Sequence, residues 1–575
     1  MIFPLLLLMA LVLIFPLLDR RKLWPRLLAV GLIEWATCRY LWFRWSETFP
    51  TSGGWVYGYQ LAFLIVESLA LGLTILVGIL ILRLRERTPE VDVLERQFLE
   101  DQNFPTVDVI IPTYGEPESV LRRTVEGCVR ILWPRDRLRI LFLDDGNRPW
   151  LKEMCAQYGV DYLVRPNLGQ GGKAGNLNYG LVHSNGDFIC GLDADFIPSP
   201  RILTRLVALC GSEPDIGLAQ TPQHFDNPDA VQWNLFAGPS WTEEQRFFCD
   251  VIQPARDAWG ASFCIGTGWV ARRAAINAIG GAVPEDTVCE DMYTTYNMMA
   301  AGYRTVYLNE ALAYGLAAES ITEFIGQRVR WCQGTVQTLW AKLGMLRHPA
   351  LSPWHRILYI DLVWYWFGFT FLMFIFVSPV FYWFFAVPIF ESTLDQVVNY
   401  LLPRMITVMG LMWWFSDGRI LPVVTDVKKA VCMPFVAPAF WAAFVRPDKL
   451  TFRVTAKGQV TDRPMPRWNL MWPHIALMVA LIVGVGMNLR TATMTVDWDH
   501  HMAMNAILTI YCFVVSMLCC LACVDQPKTE GYWDRGQPLS GNPIRGVWAM
   551  TKRWFGTGYR SPIKNPAETK VIVPH

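Results

Sequence analysis

Long apolar stretches lie toward both ends of the chain, on either side of a region in which short apolar runs alternate with polar ones. A helix that crosses a membrane needs about 20 apolar residues. We predict about seven such crossings, three before the mixed region and four after it: residues 2–18, 24–44, 55–82, 365–390, 398–416, 471–489 and 504–524. Residues 420–447 are apolar but interrupted by charges and prolines, so we expect a helix that lies along the membrane surface.

Charges beside these stretches orient them. Asp19-Arg20-Arg21-Lys22 follows the first stretch, and Arg83, Arg85 and Arg87 follow the third. Because cytoplasmic loops are rich in Lys and Arg, we expect the N-terminus outside and the mixed region in the cytoplasm. Basic residues after the first apolar run, rather than before it, argue against a cleaved signal peptide. Residues 526–575 carry eight basic and three acidic residues, a net charge of +5, which favours a cytoplasmic C-terminus.

The mixed region, residues 100–350, has the pattern of an α/β domain. Short apolar runs predict strands at Val107–Pro112, Arg139–Asp144, Phe188–Asp193, Ile216–Gln220 and Thr305–Leu308. Helix-like segments, including Ser119–Arg130 and Gly172–His183, alternate with them. Such alternation is typical of a mainly parallel sheet, and ligands bind such sheets at the carboxyl ends of the strands.

Composition supports this division. Of the 575 residues, 53% are hydrophobic and 18% are charged, against roughly 25% charged in soluble domains. The net charge of +1 gives no reason to expect a nucleic-acid partner. The 14 cysteines show no paired zinc-ligand spacing, so we expect reduced, packed thiols. We predict four parts: a transmembrane region at 1–90, a cytoplasmic domain at 100–350, a transmembrane and interfacial region at 351–525, and a basic tail at 526–575.

Two aspartates close the predicted strand Phe188–Asp193. Side chains at positions i and i+2 of a strand share a face, so Asp193 and Asp195 can meet one ligand. Hard cations such as Mg²⁺ prefer oxygen ligands and are often shared with substrate phosphates. The pair therefore suggests a metal held against a diphosphate, although D-x-D also occurs in ordinary surface turns.

Other polar residues allow both a functional and a structural interpretation. Tyr114 can stack on a base or fill a loop. Asp144 and Asp145 can bind a base or ribose, or cap the next helix. Lys173 can face a phosphate or lie solvated at a helix start. The pair Glu290-Asp291 can supply a general base or mark a helix start.

The stretch Gln327-Arg328-Val329-Arg330-Trp331 lies just before the second group of apolar stretches. Its arginines can bind a diphosphate, and Trp331 can stack on a sugar. The alternative is a basic, aromatic belt at the level of the lipid headgroups.

Taken in this order, D-D, D-x-D, E-D and Q-x-x-R-W in an α/β domain between membrane stretches resemble the processive family 2 glycosyltransferases, of which cellulose synthase is the best known. The resemblance extends to Arg39–Trp45, Gln220–Gln223, Phe263–Thr267 and Phe452–Gly458. The last segment is similar to the gating loop, F-x-V-T-x-K, of bacterial cellulose synthases, a far more specific sequence than D-x-D. The resemblance implies an α/β glycosyltransferase domain of the GT-A type, inserted between α-helical transmembrane regions.

The resemblance also implies a role for each matching residue. The donor, a UDP-sugar, would be bound by Thr113, Tyr114, Glu116, Asp144, Lys173, Asp193, Gln327, Arg328 and Arg330. Asp195 would ligate the metal, Mg²⁺ or Mn²⁺, and Asp291 would be the catalytic base. The acceptor end of the polymer would contact Phe263, Cys264, Gly266, Thr267 and Trp331. The gating loop, residues 451–458, would close over the nucleotide through Phe452, Val454, Thr455 and Lys457.

The implied reaction is processive and inverts the anomeric centre. A hydroxyl at the non-reducing end of a growing β-glucan attacks the anomeric carbon of UDP-glucose, Asp291 takes the proton, and UDP leaves. The polymer would leave through a channel in the protein's own membrane helices. The implied location is the bacterial inner membrane, with lipid around the helices and an export partner in the periplasm or envelope.

Several positions depart from the pattern of bacterial cellulose synthases. The usual T-E-D is Cys289-Glu290-Asp291 here, F-F-C-G-S is F-C-I-G-T at Phe263–Thr267, and H-A-K-A-G-N begins with Gly171 in place of His. Because acceptor geometry decides which hydroxyl meets the base, we favour a glucan that contains β-1,3-linkages, of the curdlan or mixed-linkage type. Plain cellulose is the alternative.

We also expect one N-terminal membrane helix fewer than usual and no β-barrel after the gating loop. Arg463 and Arg467 have the spacing of a PilZ site for cyclic-di-GMP. Without the barrel we interpret them as basic residues beside a membrane span.

Hypotheses from other classes stay open at this point. A non-processive transferase that forms glycolipids would have no channel. A synthase of the chitin or hyaluronan type would use UDP-N-acetylglucosamine. A transporter or receptor with a degenerate nucleotide domain would not need Asp193, Asp195 and Asp291 intact.

Overall fold

A computed structural model describes residues 2–237, 245–418, 422–447, 463–492 and 500–528. Their α-helices are α1 (Ile2–Ile14), α2 (Leu23–Ser46), α3 (Gly54–Leu80), α4 (Thr88–Asp101), α5 (Glu118–Cys128), α6 (Pro149–Tyr158), α7 (Gly172–Val182), α8 (Ile202–Gly211), α9 (Ala230–Asn234), α10 (Gln245–Phe247), α11 (Gln253–Ala258), α12 (Arg273–Ala278), α13 (Glu290–Ala300), α14 (Ile321–Trp340), α15 (Pro353–Phe385), α16 (Leu394–Phe415), α17 (Pro422–Val445), α18 (Trp468–Ala492) and α19 (His500–Ala522). The strands are β1 (Val107–Thr113), β2 (Leu138–Asp144), β3 (Asp161–Leu163), β4 (Phe188–Gly191), β5 (Ile197–Pro198), β6 (Ile216–Gln220), β7 (His224–Phe225), β8 (Trp269–Arg272), β9 (Arg304–Tyr307), β10 (Ala313–Gly315), β11 (Met465–Pro466) and β12 (Val524–Asp525).

The central sheet has seven strands in the order β3-β2-β1-β4-β8-β6-β9. All neighbours run parallel except β8, which is antiparallel to both β4 and β6. The five predicted strands and the two predicted helices are all present, and their ends differ from the prediction by no more than two residues. Strand β8 was not predicted.

Strand β1 explains why the sheet lies between two layers of helices. All seven of its residues are buried. Val109 and Ile111 pack into one hydrophobic core, together with Leu121 of α5, and Ile110 packs into a second core with Leu177 of α7. Alternate side chains of a strand point to opposite faces, so the consecutive apolar residues Val109–Pro112 indicate a strand covered on both sides. The predicted α/β fold of the GT-A type, flanked by membrane helices, is confirmed.

The membrane-crossing helices differ in number from the prediction. Among the described residues, five helices are long and apolar enough to cross: Gly54–Leu80, Pro353–Phe385, Thr425–Val445, Trp468–Asn488 and Met504–Ala522. Four of them match predicted crossings. Helix α1 has 13 residues, about 20 Å at 1.5 Å per residue, which is shorter than a bilayer core. Helix α2 carries four charged residues, and α16 carries Asp395 and Arg404. Among the described residues, five helices are therefore candidates for crossings by length and composition, against the about seven that we predicted.

The fifth crossing candidate lies in α17, where we expected a surface helix. The charges that suggested a surface position are satisfied by other parts of the protein. Lys428 Nζ lies 2.5 Å from Asp229 Oδ2, with both side chains buried, and the Tyr511 hydroxyl donates to Asp426 Oδ2 at 3.0 Å. Length and composition thus allow α17 to cross, whereas the orientation of the two termini stays a prediction.

Glu67 in α3 and Arg467 just before α18 also have charged partners. The Arg44 Nε lies 2.6 Å from Glu67 Oε2, and Tyr40 donates to Glu67 Oε1 at 2.7 Å, so the Arg39–Trp45 segment joins α2 to α3. Arg467, which we interpreted as a basic residue beside a span, pairs with Asp525 at 2.8 Å.

Candidate active site

The carboxyl ends of β1 and β2 lie side by side. Thr113 and Asp144, the last residues of the two strands, are partners in the parallel register, and the Thr113 hydroxyl donates to Asp144 Oδ1 at 3.2 Å. Tyr114 follows β1 with 54% of its surface exposed, so its ring is available to a ligand. Its backbone N–H donates to Glu116 Oε2 at 2.9 Å, which ties Glu116 to the same turn.

Asp144 is occupied by protein donors. The Arg148 backbone N–H donates to Asp144 Oδ2 at 2.7 Å, its Nη2 donates to Oδ1 at 2.8 Å, and the Tyr162 hydroxyl donates to Oδ2 at 2.9 Å. Burial would raise the pKa of Asp144, but the hydrogen bonds from Arg148 outweigh burial and lower it. Asp144 is therefore an ionised residue that shapes this edge of the site. Arg148 was not singled out in the sequence, because its partners Thr113 and Asp144 lie on β1 and β2.

Asp145 and Arg165 organise the loop that leads to Lys173. Both Arg165 Nε and Nη2 donate to the carboxylate of Asp145 at 2.5 Å, and both side chains are buried. The same guanidinium donates to the carbonyl oxygens of Gln170 and Gly172. Because α7 begins at Gly172, this bidentate pair fixes the start of the helix that presents Lys173.

The D-x-D segment lies in a turn rather than in a strand. Strand β4 ends at Gly191, two residues earlier than predicted, and the Phe196 N–H donates to the Asp193 carbonyl at 3.0 Å. A Cβ at position 191 would lie 2.2 Å from the Trp269 ring, so only glycine fits where β4 meets β8. The argument from strand alternation was therefore wrong, although the two carboxylates do lie close together. Burial raises the pKa of Asp193, and the charge of Asp195 adds to this rise.

Lys173 joins the D-x-D turn to the other two motifs. Its Nζ lies 2.6 Å from Asp193 Oδ1 and 3.6 Å from Glu290 Oε1, and it donates to the Gly266 carbonyl oxygen at 2.9 Å. Burial would lower the pKa of Lys173, but the surrounding carboxylates raise it overall. A single cation thus connects segments that lie far apart in the sequence.

Asp291 lies in the first turn of α13, beside this lysine. Burial, with the neighbouring charge of Glu290, raises the pKa of Asp291 to about 7, although the charge of Lys173 acts in the opposite direction. A Cβ built on Gly266 would lie 3.0 Å from Asp291 Oδ2, and Gly266 has a φ of 95°, so this position needs glycine. Asp291 is therefore in contact with the segment Phe263–Thr267.

That segment is held by partners that leave its backbone in a defined position. The Cys264 N–H donates to the Thr295 hydroxyl at 2.9 Å, and the Ile265 N–H donates to Gln220 Oε1 at 3.0 Å. The Asp193 N–H donates to the Thr267 hydroxyl at 2.9 Å. Phe263, Cys264 and Thr267 are buried. In the sequence, Gln220 stood out only through the family resemblance. In the structure, it is the last residue of β6 and its side chain connects that strand to the segment Phe263–Thr267.

Helix α14 carries the Q-x-x-R-W residues. Residues two apart on a helix do not face the same way, whereas residues three and four apart do. Gln327, Arg330 and Trp331 therefore share a face. Arg328 contacts two of these residues: its Nη1 donates to Gln327 Oε1 at 2.9 Å, and its guanidinium carbon lies 5.3 Å from the centre of the Trp331 ring. Arg328 is 4% exposed, with its guanidinium carbon 3.4 Å from the centre of the Phe324 ring. That Arg328 binds the donor stays a prediction.

Arg330 faces the start of α13. Burial raises the pKa of the Cys289 thiol, and the charge of Arg330 is close enough to oppose this rise. A Cβ added to Gly334 would lie 2.2 Å from Cys289 Sγ, so the thiol packs directly against α14. Cys289, a departure from the pattern of the family, thus has a structural partner in Gly334.

The residues present fit a cation that is shared with a ligand. Among the residues that the structure describes, no group of three or more His, Cys, Asp or Glu side chains could hold a metal alone. A Mg²⁺ bound to substrate phosphates needs only one or two protein carboxylates. Asp193 and Asp195 provide these at the carboxyl end of β4. The gating-loop residues Phe452, Val454, Thr455 and Lys457 lie outside the described residues.

Comparisons with known proteins agree with this geometry. A family model described as glycosyltransferase like family 2 matches residues 105–334. The UDP-forming cellulose synthase catalytic subunit of Pseudomonas fluorescens (strain SBW25) is 33% identical over 393 residues, which are 68% of this chain and 52% of that protein. This chain belongs to the cellulose synthase superfamily of family 2 glycosyltransferases.

Further comparisons set the extent of this kinship. The UDP-forming cellulose synthase 1 catalytic subunit of Komagataeibacter xylinus is 34% identical over 383 residues, or 66% of this chain and 51% of that protein. The chain thus spans about half the length of these curated relatives. A solved mannosyltransferase from Pyrobaculum calidifontis, in complex with GDP-Man and Mn²⁺, aligns with a TM-score of 0.41 and 16% identity over 64% of this chain and 99% of its own.

The contact between Gly334 and Cys289 leads to a testable expectation for this superfamily member. In the Gly334→Ala variant the new methyl group would meet Cys289 Sγ at 2.2 Å and Cys289 N at 3.1 Å. Overpacking of this kind costs about 1–3 kcal/mol, and it should displace Glu290 and Asp291. We expect lower thermal stability and lower activity, measured by thermal unfolding and by release of the nucleotide product.

A matched control lies on the same helix. No atom lies within 4 Å of a Cβ built on Gly326, and alanine is favoured over glycine in a helix. The Gly326→Ala variant should keep its activity and its stability. Equal behaviour of the two variants would show that the Gly334 contact has no role.

Proposed function

We propose that this chain is a processive, inverting β-1,4-glucan synthase of the bacterial inner membrane, which elongates a glucan from UDP-glucose and passes it through its own membrane helices. The observation that carries the proposal is the position of Lys173. This residue contacts Asp193 of the D-x-D turn, Glu290 beside the proposed base Asp291, and Gly266 of the segment Phe263–Thr267, which we call the acceptor segment. One residue therefore connects the parts that would bind the donor, take the proton and hold the acceptor.

The donor half is formed by carboxylates and cations around the D-x-D turn. Asp195, with Asp193, would hold Mg²⁺ or Mn²⁺ against the diphosphate, and the metal would offset the charge that develops on the leaving UDP. Lys173 and Arg330 supply positive charge to the same group, and Gln327 lies on the same face of α14 as Arg330. Thr113, Tyr114, Glu116 and Asp144 form the edge of the sheet at which the uridine would lie.

Asp291 would accept the proton of the acceptor hydroxyl. Its carboxylate lies against Gly266 in the acceptor segment, where the terminal sugar hydroxyl of the glucan would be held, with Trp331 available to stack on the ring. When Asp291 accepts the proton, the hydroxyl oxygen attacks the anomeric carbon from the side opposite to UDP. The α-linked donor thereby gives a β-linked product.

The pKa of Asp291 sets an expected pH dependence. The base must be deprotonated to accept a proton, and its pKa is raised to about 7. The kcat should therefore fall as the pH decreases through about 7 and reach a plateau above it. Initial rates of UDP release across this range, at saturating UDP-glucose, measure the effect. A rate that stays constant down to about pH 4, the range of an unperturbed aspartate, would contradict this assignment.

The linkage expected from the sequence is revised here. The relatives are named as cellulose synthases, and this supports β-1,4-linkages over the curdlan or mixed-linkage product that we had favoured. The altered acceptor residues are also less disruptive than they look in the sequence. Thr267 uses its hydroxyl to accept the Asp193 N–H, which a serine hydroxyl can also do, and Cys289 fills a contact with Gly334.

Analysis of the product tests the proposal. The purified protein would be given radiolabelled UDP-glucose or UDP-N-acetylglucosamine with Mg²⁺ or Mn²⁺, and the product would be digested with glucanases specific for β-1,4- or β-1,3-linkages. We expect incorporation of glucose only, into a product cut by the β-1,4-specific enzyme. A product cut only by the β-1,3-specific enzyme would contradict the linkage. Incorporation of N-acetylglucosamine would contradict the donor, and a short glycolipid would contradict processivity.

A further inference from the structure

Helix α11 contacts Phe263, the first residue of the acceptor segment. Gln253 Nε2 donates to the Phe263 carbonyl oxygen at 3.2 Å, and the guanidinium carbon of Arg256 lies 5.6 Å from the centre of the Phe263 ring. Gln253 and Arg256 are both 0% exposed. The first residue of the acceptor segment is therefore held at its backbone and at its ring by one short helix.

Arg256 connects this support to a membrane helix. Its Nη2 donates to Asp361 Oδ1 near the start of α15, and the side chains of both residues are buried. The guanidinium also lies 5.8 Å from the centre of the Tyr359 ring. Among the described residues, the Nε and Nη1 atoms of Arg256 have no hydrogen-bond partner. The cation is thus held by one carboxylate and two aromatic rings.

The same part of α15 also contacts the helix of the catalytic base. The rings of Tyr359 and Tyr296 of α13 meet edge to face, with centroids 4.9 Å apart. Asp291 lies in the first turn of that helix. Neighbouring residues of α15 therefore touch both the acceptor support and the base helix, which fixes the distance between them.

Stability alone is a poor explanation for a charged pair at this position. Burial of an ion pair has a desolvation cost that well-packed apolar side chains of similar volume avoid, and such replacements are often neutral or stabilising. What an arginine and a carboxylate supply, and apolar groups do not, is a fixed direction of contact.

We propose that the Arg256–Asp361 pair is a positioning device that holds Phe263 at a fixed place against α15, so that the glucan end stays in register with Asp291 through successive additions. This inference rests on the proposed function. Arg256 acts through Phe263 and does not need to touch the substrate.

The test compares two double variants, each of which changes one residue of α11 and its ion-pair partner on another element. Arg256→Met with Asp361→Leu removes the pair without leaving a lone buried charge. Arg87→Met with Asp257→Asn is the matched control, because Asp257 is the next residue of α11 and pairs with Arg87 at 2.6 Å, away from the acceptor segment. The asparagine keeps an acceptor for the Tyr307 N–H, which Asp257 binds at 3.2 Å. Both would be purified as full chains and compared by thermal unfolding, steady-state kinetics, polymer length and the fraction of UDP released without incorporation of glucose.

The inference predicts a change in catalysis that is specific to the first double variant. A misplacement of about 1 Å can cost up to 10²-fold in rate, so we expect kcat to fall about 10- to 100-fold while KM for UDP-glucose changes less than about twofold. The polymer should become shorter, and a larger share of UDP should come from hydrolysis. The control should match the wild type in all of these, and Arg256→Lys, which keeps the charge but loses the planar fork, should lie between them.

The outcomes separate the inference from the function on which it rests. If the wild type makes no glucan from UDP-glucose, the proposed function fails. If the wild type makes glucan and the Arg256/Asp361 double variant matches it in kcat and polymer length, the positioning role alone is wrong. Equal losses in both double variants would assign the pair to general stability and also overturn the inference. If the first double variant does not fold, the Arg256→Lys variant decides in the same way.

Discussion

Replacement of Asp291 by asparagine should lower kcat for glucan synthesis by about 10²–10⁴-fold, the range that a general base contributes. Asparagine keeps the size of the side chain and its contact with Gly266, but its amide cannot accept the proton of the acceptor hydroxyl. The binding of UDP should change little, because Lys173 keeps its contact with Asp193. Incorporation of labelled glucose measures kcat, and calorimetry measures the affinity for UDP.

The control for this variant is Asp286→Asn. It is the same chemical change on an exposed side chain of the loop that leads into α13, five residues earlier. We expect wild-type rates from it. A loss in Asp291→Asn of less than about tenfold would remove Asp291 from the role of base.

Replacement of Lys173 by methionine should produce two separate effects. The three carboxylates of Asp193, Glu290 and Asp291 would lose their shared cation, and the leaving diphosphate would lose a charged partner. We expect kcat/KM for UDP-glucose to fall by about 10²–10³-fold, as on removal of a preorganised charge-stabilising donor. The charge of Lys173 holds the pKa of Asp291 down. Without it, the decrease of kcat at low pH should move to a higher pH.

The shift of the pH profile distinguishes an electrostatic role of Lys173 from general damage to the fold. Lys152→Met, on the exposed surface of α6, is the matched control and should leave both the rate and the pH profile unchanged. A Lys173→Met variant with a lower rate but an unshifted pH profile would show that Lys173 does not act on Asp291.

The fold could be predicted where a local pattern determines the structure. Strand β1 has seven consecutive buried residues, and its apolar run Val109–Pro112 was sufficient to find it. The D-x-D turn was also found, although its conformation was not, because Gly191 ends the strand for a reason that lies in Trp269 on another strand. A pattern along the chain contains no information about that contact.

The same limit applies to the charged residues of the site. Arg148 and Arg165 were not singled out, since a lone arginine in a loop has no distinctive local pattern, and their partners Asp144 and Asp145 lie on a different element. Arg328 and Arg330 look equivalent in the sequence, yet the charge of Arg330 acts on Cys289, whereas the guanidinium of Arg328 lies over the Phe324 ring. The charges of α17 suggested a surface helix because Asp229 and Tyr511, which satisfy them, are distant in sequence.

The central claim is that one chain both adds glucose at the Lys173–Asp291 site and keeps the growing glucan bound between additions. The most direct measurement is the length distribution of labelled product from purified protein in lipid vesicles, supplied with UDP-glucose and Mg²⁺ and sampled while most of the donor is still unspent. If the chain is processive, we expect long β-1,4-glucan at the earliest time points and more chains, rather than longer ones, later. We expect no product from Asp291→Asn. Short products that lengthen together as the donor is consumed would contradict the claim.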